Sequence, residues 1–415
     1  MKSLVALVLI SFQAWAQDSS VLINDFKSLL PQYQISPISE QVFCYRSETG
    51  VDGIQVDKLQ RIASVTKLIT TFHAAEVLDL HKTYTTKIFI SQNKLHIEGS
   101  NDPYFEEEKL LLLMQSLNDL GYSKFDSVTF DQNFLFYDIA LQSYEVITPS
   151  HTRQRLMAYL KASNSKFVRS KWLETYNFAK GEGVEINTLV TPQIEANQIS
   201  VSEINPLKGL NPVVLIHRSK PLHAILKSMN VMSKNHVAQN VYLEASRLKK
   251  LDILMSQRNI EKKSYQIYNG SGLPINTSNS RTDNLMSCRT VLMVIDLLDE
   301  IVKKQNLQLS DIVAVVGGKD LGSFRERFLS YPETFDSIMA KTGTLRHTST
   351  LAGFLLTNEK VPFAVLNHTT NILNAKKFQE SFVMRLFHHL GQPTPKEYSK
   401  ISIFPWDGSS DFLEY

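Results

Sequence analysis

The run Ser64-Val65-Thr66-Lys67 sets a hydroxyl and an amine three residues apart. On a helix such a pair shares one face, so the Lys67 amine can reach the Ser64 hydroxyl and take its proton. Val65, Leu68, Ile69, Phe72, Ala75 and Leu78 recur at three- and four-residue spacing, which predicts a helix from Ser64 to Leu80. The start of that helix adds positive potential where a serine alkoxide would develop. The pattern alone carries little. With 41 Ser and 30 Lys in 415 residues, chance supplies about three Ser-x-x-Lys matches, and the chain holds four. Setting separates them: Ser91 straddles an expected turn, Ser163 sits among polar residues, and Ser246 lies at the polar end of a helix. Taken singly, Ser64 reads as an N-cap.

Two further runs change that reading. Lys341-Thr342-Gly343 is the only Lys-[Ser/Thr]-Gly in the chain and sits in an expected strand. Its glycine lets a ligand approach the backbone, and a strand edge can pair with an extended peptide. A second cation near Lys67 would lower its pKa, as a general base requires. Ser233-Lys234-Asn235 falls between two expected helices, Pro221 to Met229 and His236 to Ser246. Ser-x-Asn recurs at Ser91, Ser116 and Ser228, so it is the order and placement of all three motifs that carries weight.

The elements that must position these residues follow from periodicity. Gln41 to Arg46 reads as a strand, Lys87 to Glu98 as a hairpin turning at Gln92-Asn93, and 106 to 120 as an amphipathic helix. Short strand-like runs at Ser127 to Phe130 and Leu189 to Thr191 interrupt an irregular stretch from about 125 to 211. Val213 to His217 is strand-like, and Thr282 caps a helix expected to run to Lys303. Strands follow at Ser337 to Leu345, Thr350 to Thr357 and Pro362 to His368, then a helix from Asn374 to Leu390. Strands at both ends with helices between predict an α+β fold whose main sheet draws on both termini. The expected organisation is a catalytic domain from 17–84 and 212–415 with an inserted domain over 85–211.

The three motifs, in this order, resemble the signature of penicillin-binding proteins and serine β-lactamases. Arg61-Ile62-Ala63-Ser64-Val65-Thr66-Lys67 and Gly99-Ser100-Asn101-Asp102-Pro103 resemble those of the class C, low-molecular-mass D-alanyl-D-alanine carboxypeptidases and endopeptidases. So do Met229-Asn230, Asn269-Gly270-Ser271-Gly272-Leu273, Ala340 to Leu345, and Leu351-Ala352-Gly353-Phe354. The resemblance covers about residues 40 to 370, loosely over 110 to 211. Lys234 and Asn269 depart from the pattern, which more often has a neutral or acidic residue and an Asp there. The resemblance implies a transpeptidase-type antiparallel sheet covered by helices, peptidoglycan stem peptides as substrate, and β-lactams as inhibitors. It implies Ser64 as nucleophile, Lys67 as base, Ser233 as proton relay with Lys341, and Asn235 as a substrate ligand. Backbone N–H groups of Ser64 and Thr344 would form the oxyanion hole, Thr342 and Thr344 with Lys341 would hold the terminal carboxylate, and Gly343 would let the substrate approach the strand. The turns at 99–103 and 269–273 are expected to shape the cleft wall. Rival readings on the same scaffold are a β-lactamase or esterase, against which the lack of a convincing Glu-x-x-x-Asn element counts, and a non-catalytic binding module, against which the intact motif set counts.

Composition bounds the alternatives. Forty-four basic against 41 acidic residues give a net charge of +3, which supplies no electrostatic reason for a nucleic-acid partner. There is no His-Glu-x-x-His and no cysteine pair at zinc spacing, so no metal or other cofactor is expected. Lys2, the apolar run Leu4 to Trp15 and Ala14-Trp15-Ala16 predict a signal peptide over 1–16, export to the periplasm, and a mature protein without a transmembrane anchor. Cys44 and Cys288 could pair, but in a chain of this length two buried free thiols are the preferred expectation.

Overall fold

The computed structural model describes residues 19–136, 146–186, 188–317, 320, 322–406 and 412–414. The expected signal segment over 1–16 lies outside them. The main sheet is antiparallel and five-stranded, in the order Ile338–Leu345, Thr348–Leu356, Lys360–His368, Val42–Ser47, Gly50–Ile54. Strands from both ends of the chain thus form one sheet, as the sequence predicts. Thr348–Leu356 is buried at every position, so it lacks the polar alternation of a half-solvated strand. Its even residues Ala352 and Phe354 pack with Leu68, Phe72, Val241 and Val291 from helices Thr66–Val77, Asn235–Leu248 and Cys288–Lys304. Its odd residues Leu351 and Leu355 pack on the opposite face with Phe26, Phe378 and Phe382 from helices Ser19–Gln32 and Ile372–Leu390.

A second, six-stranded sheet runs in the order Phe412–Glu414, Val213–Arg218, Thr85–Ser91, Lys94–Glu98, Lys124–Phe130, Glu195–Val201. It has its own core, in which Leu111, Leu156 and Trp172 come from helices Glu107–Asp119, Pro149–Tyr159 and Ser165–Gly181. The hairpin turns at Gln92-Asn93, both with positive φ, as expected for Asn-type turn residues. The strand-like run at Leu189 to Thr191 is not a strand; the strand begins at Glu195. Among the described residues no helix is long and apolar enough to cross a membrane.

Three further sequence expectations need correcting. The helix expected to start at Ser64 begins at Thr66, after a 3-10 turn over Ala63–Val65, and it ends at Val77 rather than Leu80. Thr282 is not a helix cap: it sits in the short strand Arg281–Thr282, and Ser287 caps Cys288–Lys304 by accepting from the Thr290 N–H. Cys44 and Cys288 are not free thiols; they form a disulfide. The pair is 244 residues apart in sequence, so spacing gave no signal. Only the two-terminus sheet brings the Val42–Ser47 strand against the start of that helix. A loop this long loses about 5 kcal/mol of unfolded-state freedom when closed, in the chain-entropy treatment. The double variant C44S/C288S should therefore lose about 2–5 kcal/mol in denaturant unfolding; an unchanged midpoint would contradict this.

Candidate functional site

Ser64 sits in the 3-10 turn, with Ala63 at a φ of 46° just before it. Two neighbours hold this tight bend. Thr350 Oγ1 donates to the Ile62 carbonyl at 3.0 Å, and the Ile62 N–H donates to the Asn284 carbonyl at 3.3 Å. One turn on, Lys67 is fully buried. Its Nζ lies 3.2 Å from Ser64 Oγ, 2.8 Å from Asn235 Oδ1 and 2.9 Å from the Ser271 carbonyl. A neutral amine has two N–H bonds and one lone pair. With the N–H groups on Asn235 and Ser271, the lone pair faces the Ser64 hydroxyl. Burial, and then the nearby Lys341 amine, hold Lys67 well below the usual lysine value. Two of the remaining Ser-x-x-Lys runs end on exposed lysines, Lys94 and Lys166, and the third on the half-buried Lys249.

Lys341 and Gly343 share the face of Ile338–Leu345 that points, like Met339, toward the Ser64 helix. Lys341 is buried, its Nζ has no hydrogen-bond partner among the described residues, and burial pushes it down to about 7. Gly343 lies directly against the nucleophile's turn. A Cβ there would come 2.9 Å from the Ser64 nitrogen, 2.9 Å from Ala63 Cβ and 2.2 Å from Thr350 Oγ1. The strand is the sheet's outer strand. Its first half is covered by 314–316, where the Ala340 N–H donates to the Ala314 carbonyl and the Val316 N–H to the Ile338 carbonyl, both at 2.9 Å. By the antiparallel period, the peptide groups of Thr342 and Thr344 point to the same side, where no described strand pairs with the edge beyond Ala340. The same period turns their side chains to the face opposite Lys341, so the three side chains do not converge on one carboxylate as the resemblance implies.

Asn235 is the first residue of its helix and reaches Lys67 directly. Ser233 is the left-handed C-cap of Leu222–Met232, at a φ of 58°, and makes no side-chain hydrogen bond among the described residues. The structure thus joins Ser64, Lys67 and Asn235 by hydrogen bonds and sets Lys341 and Gly343 beside them. Ser233 stands two residues from Asn235 without a bond to either amine.

The sequence reading missed the Ser271 carbonyl, the third partner of Lys67. The run 269–273 is a turn, as expected, but one that touches the reacting amine. Asn269 Oδ1 accepts from the N–H groups of Ser271 and Gly272 at 3.1 and 2.8 Å, and Asn284 Nδ2 holds the Asn269 carbonyl at 2.8 Å. Gly272 has φ +82°, and a Cβ would fall 1.9 Å from the Ala63 carbonyl oxygen. The signal was visible in Asn-Gly-Ser-Gly, which announces a turn but not its neighbour. Among the described residues no group of three or more His, Cys, Asp or Glu is placed to hold a metal.

Comparison with known proteins shows what the chain resembles. Residues 202–386 match the model of the D-Ala-D-Ala carboxypeptidase 3 (S13) family. The predatory peptidoglycan endopeptidase Bd3459 of Bdellovibrio bacteriovorus superposes with a TM-score of 0.78 at 25% identity, over 90% of this chain and 98% of that one. Its penicillin G-acylated form, in complex with the immunity protein Bd3460, gives 0.75 at 25% identity, over 90% and 99%. Penicillin-binding protein 4 of Haemophilus influenzae gives 0.56 at 16% identity, over 88% and 99%, a likeness of fold. No curated protein matches the chain.

Proposed function

We propose that this chain is a serine-type D-Ala-D-Ala peptidase, a reading its match to the D-Ala-D-Ala carboxypeptidase 3 (S13) family over residues 202–386 supports, and that it trims peptidoglycan stem peptides through an acyl-enzyme at Ser64. The observation that carries the reading is the buried Lys67 amine, held by Asn235 and the Ser271 carbonyl and aimed at Ser64 Oγ. Neutral Lys67 takes the Ser64 proton as Oγ attacks the carbonyl between the two D-alanines. The N–H groups of Ser64 and Thr344 hold the developing oxyanion. Lys341 receives the terminal carboxylate, the extended peptide pairs with the Thr342 and Thr344 peptide groups at the strand edge, and Gly343 lets the strand lie against the Ser64 turn. Asn235 takes the substrate's amide. Ser233 relays the proton held by Lys67 to the departing D-alanine once substrate closes the gap between them, which returns Lys67 to its neutral form. Water then frees Ser64. A β-lactam enters the same path and acylates Ser64.

The 25% identity to an enzyme described as an endopeptidase supports a second substrate, the crosslink between two stem peptides. The proposed organisation is a signal peptide over 1–16, a catalytic domain over 17–84 and 212–415, and an inserted domain over 85–211. The second sheet supports it, drawing four of its six strands from 85–201. Export to the periplasm fits the Cys44–Cys288 disulfide, since such bonds persist in oxidising compartments.

The test is release of D-alanine from a stem pentapeptide, with the crosslinked dimer as second substrate. Turnover that disappears in Ser64→Ala supports the proposal; equal turnover in the variant contradicts it. The pH dependence follows from the two amines. Lys67 must be neutral, so kcat/KM falls as acid protonates it. Lys341 must be charged to hold a carboxylate, so kcat/KM also falls as pH rises through about 7 in the free enzyme. A bell-shaped profile in pentapeptide kinetics is expected; one that keeps rising past pH 9 would remove Lys341 as the carboxylate's partner.

A further inference from the structure

Lys234 stands between two proposed site residues, and nothing local accounts for a lysine there. It is the N-cap of Asn235–Leu248 but makes no side-chain cap bond. A side-chain acceptor is preferred at that position, and a cation opposes the positive end of the helix. Its amine crosses instead to the segment that leads into Glu107–Asp119. There it pairs with the Glu106 carboxylate, lies 3.9 Å from Glu108, and stands 4.7 Å from the centre of the Tyr104 ring. Both Lys234 and Glu106 are largely buried.

The segment that receives Lys234 is anchored independently. Tyr104 N–H donates to Asp102 Oδ1 at 2.9 Å, and Lys109 Nζ donates to Asp102 Oδ2 at 2.6 Å in a fully enclosed ion pair. Ser228 Oγ, on the helix before Ser233, donates to Tyr104 Oη at 3.0 Å. The turn between the two helices therefore has a fixed platform to grip. Burial opposes charge on Lys234, yet Glu106 and then Glu108 hold it well above the usual lysine value, so it stays a cation. Asn235, the next residue, reaches Lys67 at 2.8 Å.

We infer that the Lys234–Glu106 ion pair is a clamp that positions the Ser233–Asn235 turn against Lys67. Lys234 is then a positioning residue for acylation, and the inference rests on the proposed role of Ser64. Removing one partner leaves a buried carboxylate uncompensated beside Glu108, and the turn must shift to rehydrate it. A shift of about 1 Å in a catalytic group can cost about a hundredfold in rate.

The test compares Lys234→Met, Lys234→Arg and the reversed pair Lys234→Glu with Glu106→Lys in the full chain. Two quantities are read: the rate of acylation by benzylpenicillin, and amide hydrogen exchange over 233–236. Lys234→Met should acylate about tenfold to a hundredfold more slowly and exchange faster at the turn. Lys234→Arg and the reversed pair should recover most of both. Wild-type values in Lys234→Met, or a reversed pair no better than Lys234→Met, overturn the clamp. If the unmodified protein takes up no penicillin, the Ser64 reading fails, and the exchange comparison still decides the clamp. If Lys234→Met does not fold, Lys234→Arg and the reversed pair decide it: either one at wild-type acylation supports the clamp, and loss in both overturns it.

Discussion

Lys67→Met should slow acylation of Ser64 by a factor of about 10⁴, the upper range for a positioned general base. Methionine keeps an unbranched stem in the fully buried slot but removes the amine that lies 3.2 Å from Ser64 Oγ. It also strips Asn235 Oδ1 and the Ser271 carbonyl of the N–H groups they share. The fold should persist, because burying the amine already works against its charge. Rapid-mixing kinetics with a chromogenic β-lactam, beside a thermal melt, separates lost chemistry from lost structure. A folded variant that acylates within tenfold of the parent would show that another group takes the proton.

Gly343→Ala should lower the acylation rate by about a hundred- to a thousandfold, the usual effect of losing one oxyanion donor. The new methyl would meet Thr350 Oγ1 at 2.2 Å, and Thr350 is the residue that holds the Ile62 carbonyl and hence the turn carrying Ser64. It would also crowd the Ser64 N–H itself at 2.9 Å. The strand must move away from the turn or the turn from the strand, and either motion separates the Ser64 and Thr344 N–H groups. Substrate affinity should change less than the rate, since the defect lies where charge develops. The split is read by comparing kcat and KM on the pentapeptide. A loss confined to KM would contradict it.

The residues that touch Lys67 show where a sequence speaks and where it is silent. The Ser64–Lys67 contact is local, set by helical spacing, and was legible from two letters and a periodic run. Asn235 was found because its motif sits at an interhelical turn, a position that backbone pattern reveals. Gly343 was legible as a place where backbone is approached, though not by what. The Ser271 contribution is a backbone carbonyl, which every residue possesses, so no side chain could announce it. The Cys44–Cys288 bond and the Lys234–Glu106 pair join segments 244 and 128 residues apart, and only the assembled sheets bring them together. The late start of the helix, at Thr66, has a similar origin. Ala63 is held with a positive φ by the Thr350 and Asn284 contacts on its neighbour Ile62, so tertiary contacts override a local pattern that ran straight through Ser64.

Intact-protein mass spectrometry after incubation with benzylpenicillin, followed by peptide mapping, measures the chemistry at its source. One penicilloyl group per chain, on the peptide that holds Ser64 and absent from Ser64→Ala, is the expected result. An unmodified protein, or an adduct that survives in Ser64→Ala, would contradict the assignment of Ser64 as the nucleophile that Lys67 activates.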